Sequence, residues 1–476
     1  MLSSAVLILG AFLALLDTTI VSVGIDQLAQ GFSTPLATIQ WVSTGYILAM
    51  AVAIPLSGWA VDRIGGKRMW IAALALFLLA SALSGLSWSV SSLIVFRVLQ
   101  GFGGGLIEPV AQTLIARTAG PNRVSRVMSL VQIPMMLAPV AGPVIGGATI
   151  AAGGWRWLFF LNVPIGLVAL LLAKWVIPTD APAAPAAAAR FDVLGVALIS
   201  PGLALLVYGL SQATALNGFG AVHILVDLIV GAALLMGYIV HALRTKVAPL
   251  IDLRLFANRR FTLCTATLFL LGFTVNSGLF LIPLYDQLAK GQDSLHAGLL
   301  VAPQGLGALF VLPFVGRLTD RFGAQRIVPI GMALAAIGTF AYTRINVDTN
   351  QWSLAFWLLI RGVGTGATFA PTLGSAYQVI SDAVAARATS ALYVLLQLGG
   401  AVGTAGLAVL LQSRIAAEAP HAVGTPSVIN NPRLAEPLAT AFGQTFWGSL
   451  LICLLAIVIG LFLPGRYQAE QSEKGG

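Results

Sequence analysis

Gly58-Trp-Ala-Val-Asp62-Arg63-Ile-Gly65-Gly-Lys-Arg68 returns 258 residues later as Gly316-Arg-Leu-Thr-Asp320-Arg321-Phe-Gly323-Ala-Gln-Arg326, with five positions identical. Each copy sits between two long apolar runs. A charged hairpin repeated in that setting predicts a chain built from two copies of one helix set. Internal repeats with a site at their interface are a mark of secondary transporters. A weaker echo joins Gly101–Pro109 to Gly362–Pro371. In the loop, Gly58 and Gly316 allow close helix packing, and Gly65 and Gly323 permit a tight turn. Asp62 and Asp320, with Arg63, Arg68 and Arg321, can pair across the hairpin or with a neighbouring helix end. Such a clasp can hold one conformation and release it in another. A single loop of this kind would read as an ordinary basic turn; its recurrence carries the mechanical reading.

Composition agrees. Of 476 residues, 58% are hydrophobic and 9% charged, where a soluble domain carries roughly 25% charge. A soluble fold and a disordered chain are both excluded. Two cysteines, Cys264 and Cys453, exclude a disulfide scaffold. Fourteen apolar runs are predicted as spanning helices: 4–25, 41–61, 69–88, 92–115, 126–151, 157–177, 191–212, 221–243, 260–284, 295–316, 326–345, 351–375, 385–412 and 443–464. They are long and do not alternate, which excludes a transmembrane barrel. In hydrocarbon every backbone amide must pair within its own segment, so the runs are helices. The fold class is therefore an all-α polytopic membrane protein. Twelve long helices plus two misread runs is the alternative.

Charge gives orientation. With the N-terminus cytoplasmic, inner loops hold nineteen cations and outer loops five, as the positive-inside rule requires. Both termini are then cytoplasmic. The formal charge of +9 reports membrane orientation, and nucleic acid drops out as a partner. The first span starts almost at Met1 without a basic leader, so it reads as a retained helix. Residues 178–190 are a Pro/Ala-rich linker, 413–442 the longest outer loop, and 249–260 a candidate interfacial helix. The repeat and the spans divide the chain into a six-helix bundle over 1–178, a linker with two extra helices over 179–259, and a second six-helix bundle over 260–476.

An isolated charge at mid-bilayer costs about 2.5–3.5 kcal/mol on insertion scales, so ionisable groups inside spans mark candidate function. Asp17 sits in mid-helix one and can bind a proton or a cationic solute, or serve as a hydrogen-bonded structural group. Arg97 and Glu108 lie eleven residues apart on helix four, within about 20° of one face. Gln100 and Gln112 extend that polar stripe, which should face a cavity or a partner helix. Asp227, in the eighth run, reads as structural or interfacial. Arg361 falls at the edge of its run and can snorkel outward. His241 and His296 lie near loop ends and read as structural. In the second half, the positions matching Asp17 and Glu108 fall near Asn276 and Ala370, which places coupling mostly in the first half. Gly142-Pro143, with Pro134 and Pro139 upstream, removes helix hydrogen bonds, and Gly146 and Gly147 permit close approach. A bent helix of this kind can rock against its neighbour. Tyr46, Phe102, Phe273, Tyr377 and Tyr393, with Gln304, Asn276 and Gln397, are candidate cavity lining or packing.

Several of these stretches resemble motifs of the major facilitator superfamily. The repeated loop resembles the G-x-x-x-D-R-x-G-x-[KR]-[KR] motif. Leu16-Asp17-Thr18-Thr19-Ile20-Val21, Arg97-Val-Leu-Gln100-Gly101, Ala138-Pro139-Val-Ala-Gly142-Pro143-Val-Ile-Gly146-Gly147 and Trp155-Arg-Trp157-Leu-Phe159-Phe-Leu-Asn162-Val-Pro164 are similar to motifs of its 14-helix drug:proton antiporter branch. The resemblance implies two six-helix bundles around a central cavity, with two extra helices at the periphery. It implies proton-coupled efflux of amphipathic drugs or toxic compounds, cationic or neutral, across a bacterial inner membrane by alternating access. Arg97 would be the coupling residue, with Asp17 and Glu108 as proton or cation sites. Glu108 departs from the apolar residue usual at that position. Asp17, Tyr46, Gln100, Glu108, Gln112, Asn276, Gln304, Tyr377 and Tyr393 are the expected substrate contacts. Export of one endogenous metabolite or lipid is the alternative, and import stays open because direction is not written in a fold. No catalytic constellation and no Walker motif appear, so neither an enzyme nor an ATP-driven pump is expected. The expected energy source is the proton gradient, with no cofactor or metal. The expected partners are a small molecule and the bilayer, with a periplasmic adaptor if the host is Gram-negative, and the expected state is a monomer.

Overall fold

The apolar runs fold as helices because hydrocarbon leaves the backbone no other partner. The computed structural model describes residues 2–119, 123–178, 191–215, 218–245, 247–292, 294–381, 384–418 and 432–463. Fourteen principal helices follow in order: α1 (Leu2–Val23), α2 (Trp41–Ile64), α3 (Gly66–Gly85), α4 (Val90–Ala119), α5 (Val124–Gly153), α6 (Asn162–Val176), α7 (Val193–Ala215), α8 (Val222–Arg244), α9 (Arg259–Leu288), α10 (Ser294–Phe322), α11 (Ala324–Tyr342), α12 (Gln351–Gln378), α13 (Ala385–Glu418) and α14 (Ala435–Leu461). Among the described residues thirteen helices are long and apolar enough to cross a membrane, and α5 is a further continuous helix of 30 residues. The described residues contain no strand. The chain is a multi-pass, all-helical membrane protein.

Some boundaries differ from expectation. The 157–177 run is broken into Trp157–Phe160 and α6. Pro164 has no N–H to offer the Phe160 carbonyl four residues back, and the preceding Phe159 carbonyl accepts from Ser81 at 2.8 Å. The 249–260 segment forms only a five-residue 3-10 helix, Leu253–Ala257. Asp252 and Asn258 cap successive helix starts there, and Ile251 is pinned to the Tyr238 hydroxyl of α8. α9 runs on to Leu288, α13 to Glu418, and α14 begins at Ala435, so the expected outer loops are shorter. The linker residues 179–190 lie outside the described residues.

Packing repeats as the sequence does. α2 and α3 pack on α4, and α10 and α11 pack on α12 in the same way. α1 lies against α5 as α9 lies against α13. The contact points correspond: a Cβ at Gly101 would collide with the Tyr46 carbonyl, and one at Gly362 with the Gln304 carbonyl. Across the two sets, α2 and α4 meet α13, while α5 meets α10 and α12. α7 packs where α2 and α13 meet, and α8 packs on α7. Only 17% of the α8 apolar window is buried, against 56% for α2. α8 therefore offers Val222, Leu225, Val226 and Ile229 to lipid.

Candidate functional site

Asp17 is the centre of a closed polar cluster inside the first half, α1–α6. Its carboxylate is 1% exposed and accepts from Arg97 of α4. Its other oxygen accepts from Gln100 Nε2 at 2.9 Å and from Asn162 Nδ2 of α6 at 2.8 Å. Arg97 also donates to Gln100 Oε1 and to the Val42 carbonyl of α2. The Tyr46 ring covers the guanidinium at 4.1 Å, and its hydroxyl donates to the Ala14 carbonyl. Four helices, α1, α2, α4 and α6, thus share one buried ion pair, and each charge has several partners. That is the arrangement in which a buried pair is tolerated. In this conformation Asp17, Tyr46 and Gln100 present no surface to a solute. Asn162 belongs to the cluster although the sequence did not single it out. An Asn within an apolar run and two residues before a proline was the available signal.

Glu108 has a different setting. It lies further along α4, at the contact with α13 of the second half, α9–α14. Among the described residues no cation comes within 4 Å of its carboxylate. The Tyr393 hydroxyl of α13 lies beside Glu108 and Gln112, yet closes no hydrogen bond of normal geometry, and Gln112 Oε1 is likewise buried and unpaired. Polar atoms buried without partners are costly unless a ligand, a proton or water supplies what they lack. The structure therefore joins Glu108, Gln112 and Tyr393 between the halves. Tyr46 is the common electrostatic neighbour of Asp17, Arg97 and Glu108.

The repeated loops lie at one end of the molecule, here termed the motif face. Gly65 and Gly323 take φ of +92° and +79°, the left-handed region that favours glycine. Asp62 lies 3.0 Å from Arg387 of α13 and 3.8 Å from Arg117 of α4. Ser57 and Ser390 oxygens are 2.8 Å apart beside it, and a Cβ at Gly58 would press on the Arg387 backbone at 2.8 Å. The second loop meets the first half by the same device. Gly316 packs on Arg126 and Ser129 of α5, and Asp320 lies in the field of Arg126. Arg126-x-x-Ser129 and Arg387-x-x-Ser390 are thus a further repeat, offset by 261, that the reading of the loops alone missed. Lys67 caps the end of α6 through the Lys174 and Ile177 carbonyls. Arg68 is exposed. Arg321 stacks at 5.2 Å from Phe322. These contacts close the motif face.

Gly142 of α5 packs directly on Thr19, two residues from Asp17, and Gly146 packs on the Ile20 backbone. Gly147 has nothing within 4 Å, so its expected close approach is absent. The side chains of Pro139 and Pro143 lie outside the described set.

The second half corrects two expectations. Arg361 does not snorkel. It is 1% exposed, the eleventh residue of α12, and donates to Gln304 of α10, the Thr274 carbonyl of α9 and Thr339 of α11. Asp286, two residues beyond the expected 260–284 span, is wholly buried in α9 and lies 2.8 Å from His296 of α10. Asn276 bonds its own helix at the Gly272 carbonyl and faces Gly400; it does not meet Arg361. Tyr377 pairs with Thr389 at 2.6 Å. In the extra helices, His241 lies 2.7 Å from Asp192, and Asp227 packs over Gly209. Among the described residues no cluster of three metal-ligating side chains occurs.

Residues 7–404 match the family described as Major Facilitator Superfamily. The "Multidrug resistance protein B homolog" of Mycobacterium tuberculosis (strain ATCC 25618 / H37Rv) is 39% identical over 98% of this chain and 90% of its own length. The "Tetracenomycin C resistance and export protein" of Streptomyces glaucescens is 33% identical over 85% of this chain and 75% of its own. Among solved structures, the proton:xylose symporter XylE bound to 6-bromo-6-deoxy-D-glucose superposes with a TM-score of 0.65 at 16% identity, covering 98% of this chain and 96% of that one.

Proposed function

Since the chain belongs to the major facilitator superfamily, and so is a transporter rather than an enzyme, we propose that it exports amphipathic cationic or neutral compounds in exchange for protons. The observation that carries this reading is the contrast between two carboxyls. Asp17 is held by Arg97, Gln100 and Asn162 within one half. Glu108 stands between the halves with no cation within 4 Å among the described residues, next to Gln112 and Tyr393 atoms that have no partner among them. A carboxyl so placed can hold a proton or the charge of a cationic solute, but not both. That exclusion is the chemistry of antiport. Asp17–Arg97 then acts as the fixed charge pair against which Glu108 works, and the motif-face clasp opens and closes the path. The relatives named for multidrug resistance and for tetracenomycin C export support a drug-like cargo.

The same proposal places the protein in a bacterial inner membrane with the motif face cytoplasmic, in line with the basic loops. The closed motif face is then a conformation shut toward the cytoplasm. The plan is two six-helix bundles, with α7 and α8 as an insert. Transport in proteoliposomes under an imposed pH gradient tests the reading. Glu108→Gln should abolish gradient-driven efflux while leaving gradient-free exchange of the same dye. If Glu108→Gln and Asp17→Asn both leave gradient-driven efflux unchanged, the proton assignment is wrong. A panel of cationic, neutral and anionic compounds across pH tests the cargo.

A further inference from the structure

Asp286 and His296 take no part in the Asp17 cluster, the Glu108 contact or the motif-face clasp. They sit at the end of the second half away from the motif face, on the last turn of α9 and the first turn of α10. Asp286 is 0% exposed, while the His296 side chain is 38% exposed. The imidazole Nδ1 lies 2.8 Å from Asp286 Oδ2, so the ring bridges solvent and a sealed carboxylate. The other carboxylate oxygen, Asp286 Oδ1, is buried and has no hydrogen-bond partner among the described residues. A pair serving packing alone would be expected to satisfy that atom, because a buried acceptor without a donor costs about 1–3 kcal/mol. An imidazole is the side chain that ordinarily titrates between about pH 5 and 8.

Other polar and charged groups surround the pair, and the Lys290 ammonium lies in the field of the Asp286 carboxylate. On α9, Tyr285 donates its hydroxyl to the Asn346 carbonyl, and just beyond the helix the Lys290 ammonium is tied to the Thr349 carbonyl. Tyr342 of α11 lies in the field of both Asp286 and Arg361. Asp348 acts on Lys290 and Glu436 of α14 on Tyr285. Asp293 lies outside the described residues.

α10 ties this pair to the conformational machinery. His296 opens the helix, and some 30 Å away along it Gly316 packs on Arg126 of the first half. Pro303 and Pro313 interrupt the helix between them. A proton taken up at one end therefore bears on the same helix that closes the other.

We propose that Asp286 and His296 form a second proton-binding site, loaded from the face opposite the motif loops, which biases the tilt of α10. The proton comes from bulk water, resides on the imidazole as an imidazolium paired with the Asp286 carboxylate, and returns to water on release. This inference rests on the proton-coupled reading.

The test uses the full chain in proteoliposomes, with ethidium as the probe. The pH on the His296 face is varied while the other face is held constant. The wild type should show a rate step as that pH is varied. His296→Gln, which keeps a donor amide at a part-exposed position, should flatten that step while gradient-free exchange persists. A second readout is imidazole NMR, in which Asp286→Asn should shift the titration of the His296 resonance. The chain has four histidines, so the His296→Gln spectrum identifies that resonance. Should the wild type show no gradient-driven transport, the proton-coupled reading fails. Should it show the step, and His296→Gln superimpose on it, the Asp286–His296 site alone is wrong.

Discussion

The Asp62 carboxylate lies 3.0 Å from the Arg387 guanidinium, across the boundary between the two halves. The symmetry-related Asp320 only lies in the field of Arg126, with no ion pair within 4 Å among the described residues. One clasp is closed and its counterpart is slack. The closed pair is partly solvated, at 17% and 19% side-chain exposure, so its worth is at most about 1 kcal/mol. That is about fivefold in a two-state population. Arg387→Gln should therefore widen the spin-label distance between α2 and α13 at the motif face and enrich the opened state by up to about fivefold. Arg126→Gln should do less. An unchanged distance distribution in Arg387→Gln would remove the clasp from the mechanism.

The Asp17–Arg97 pair makes a different prediction, because water cannot rescue it. Removing one partner of a buried pair leaves an uncompensated charge and costs about 3–5 kcal/mol. Arg97→Gln should thus lower thermal stability in detergent markedly. Asp17→Asn/Arg97→Gln should recover much of that loss, since the double variant buries no charge. Glu108→Gln removes an unpaired acid and should leave stability equal or higher. Additive losses in the double variant would mean that the pair is not an energetic unit.

Much of this was legible in the sequence. The fourteen apolar runs matched helices because hydrocarbon forces the backbone to pair internally. The loop repeat already announced two related helix sets. What the runs could not give was depth. Asp286 was read as loop because its apolar run faded at 284, yet α9 continues to Leu288 and buries it. Arg361 stood near the start of a run and looked interfacial, but three neighbouring helices supply its acceptors. Partners across the halves were also hidden. Arg387 was not singled out, although its Arg-x-x-Ser match with Arg126 is present in the chain. Long-range pairing needs the tertiary fold, which periodicity within one helix does not encode.

The glycines separate contact from composition. A methyl at Gly362 would collide with the Gln304 carbonyl, and one at Gly101 with the Tyr46 carbonyl. Backbone cannot yield as a flexible side chain can, so overpacking there should cost about 1–3 kcal/mol. Gly362→Ala and Gly101→Ala should both lower the melting temperature. Gly147→Ala, with nothing within 4 Å, should be neutral or slightly stabilising, since alanine favours helix. Equal effects at Gly147 and Gly362 would show that these sites do not differ in packing.

Arg361 tests whether geometry or charge is what the second half requires. Its guanidinium fills the space a side chain at Gly278 would need and reaches acceptors on α9, α10 and α11. No carboxylate lies within 4 Å of it among the described residues. A planar fork can serve three helices at once, whereas an ammonium is a single point of donation. Arg361→Lys should therefore destabilise nearly as much as Arg361→Gln, because either change strands buried acceptors at about 1–3 kcal/mol each. Thermal unfolding in detergent decides it. If Arg361→Lys melts with the wild type while Arg361→Gln falls, the site needs only a positive charge, and the three-helix fork is incidental.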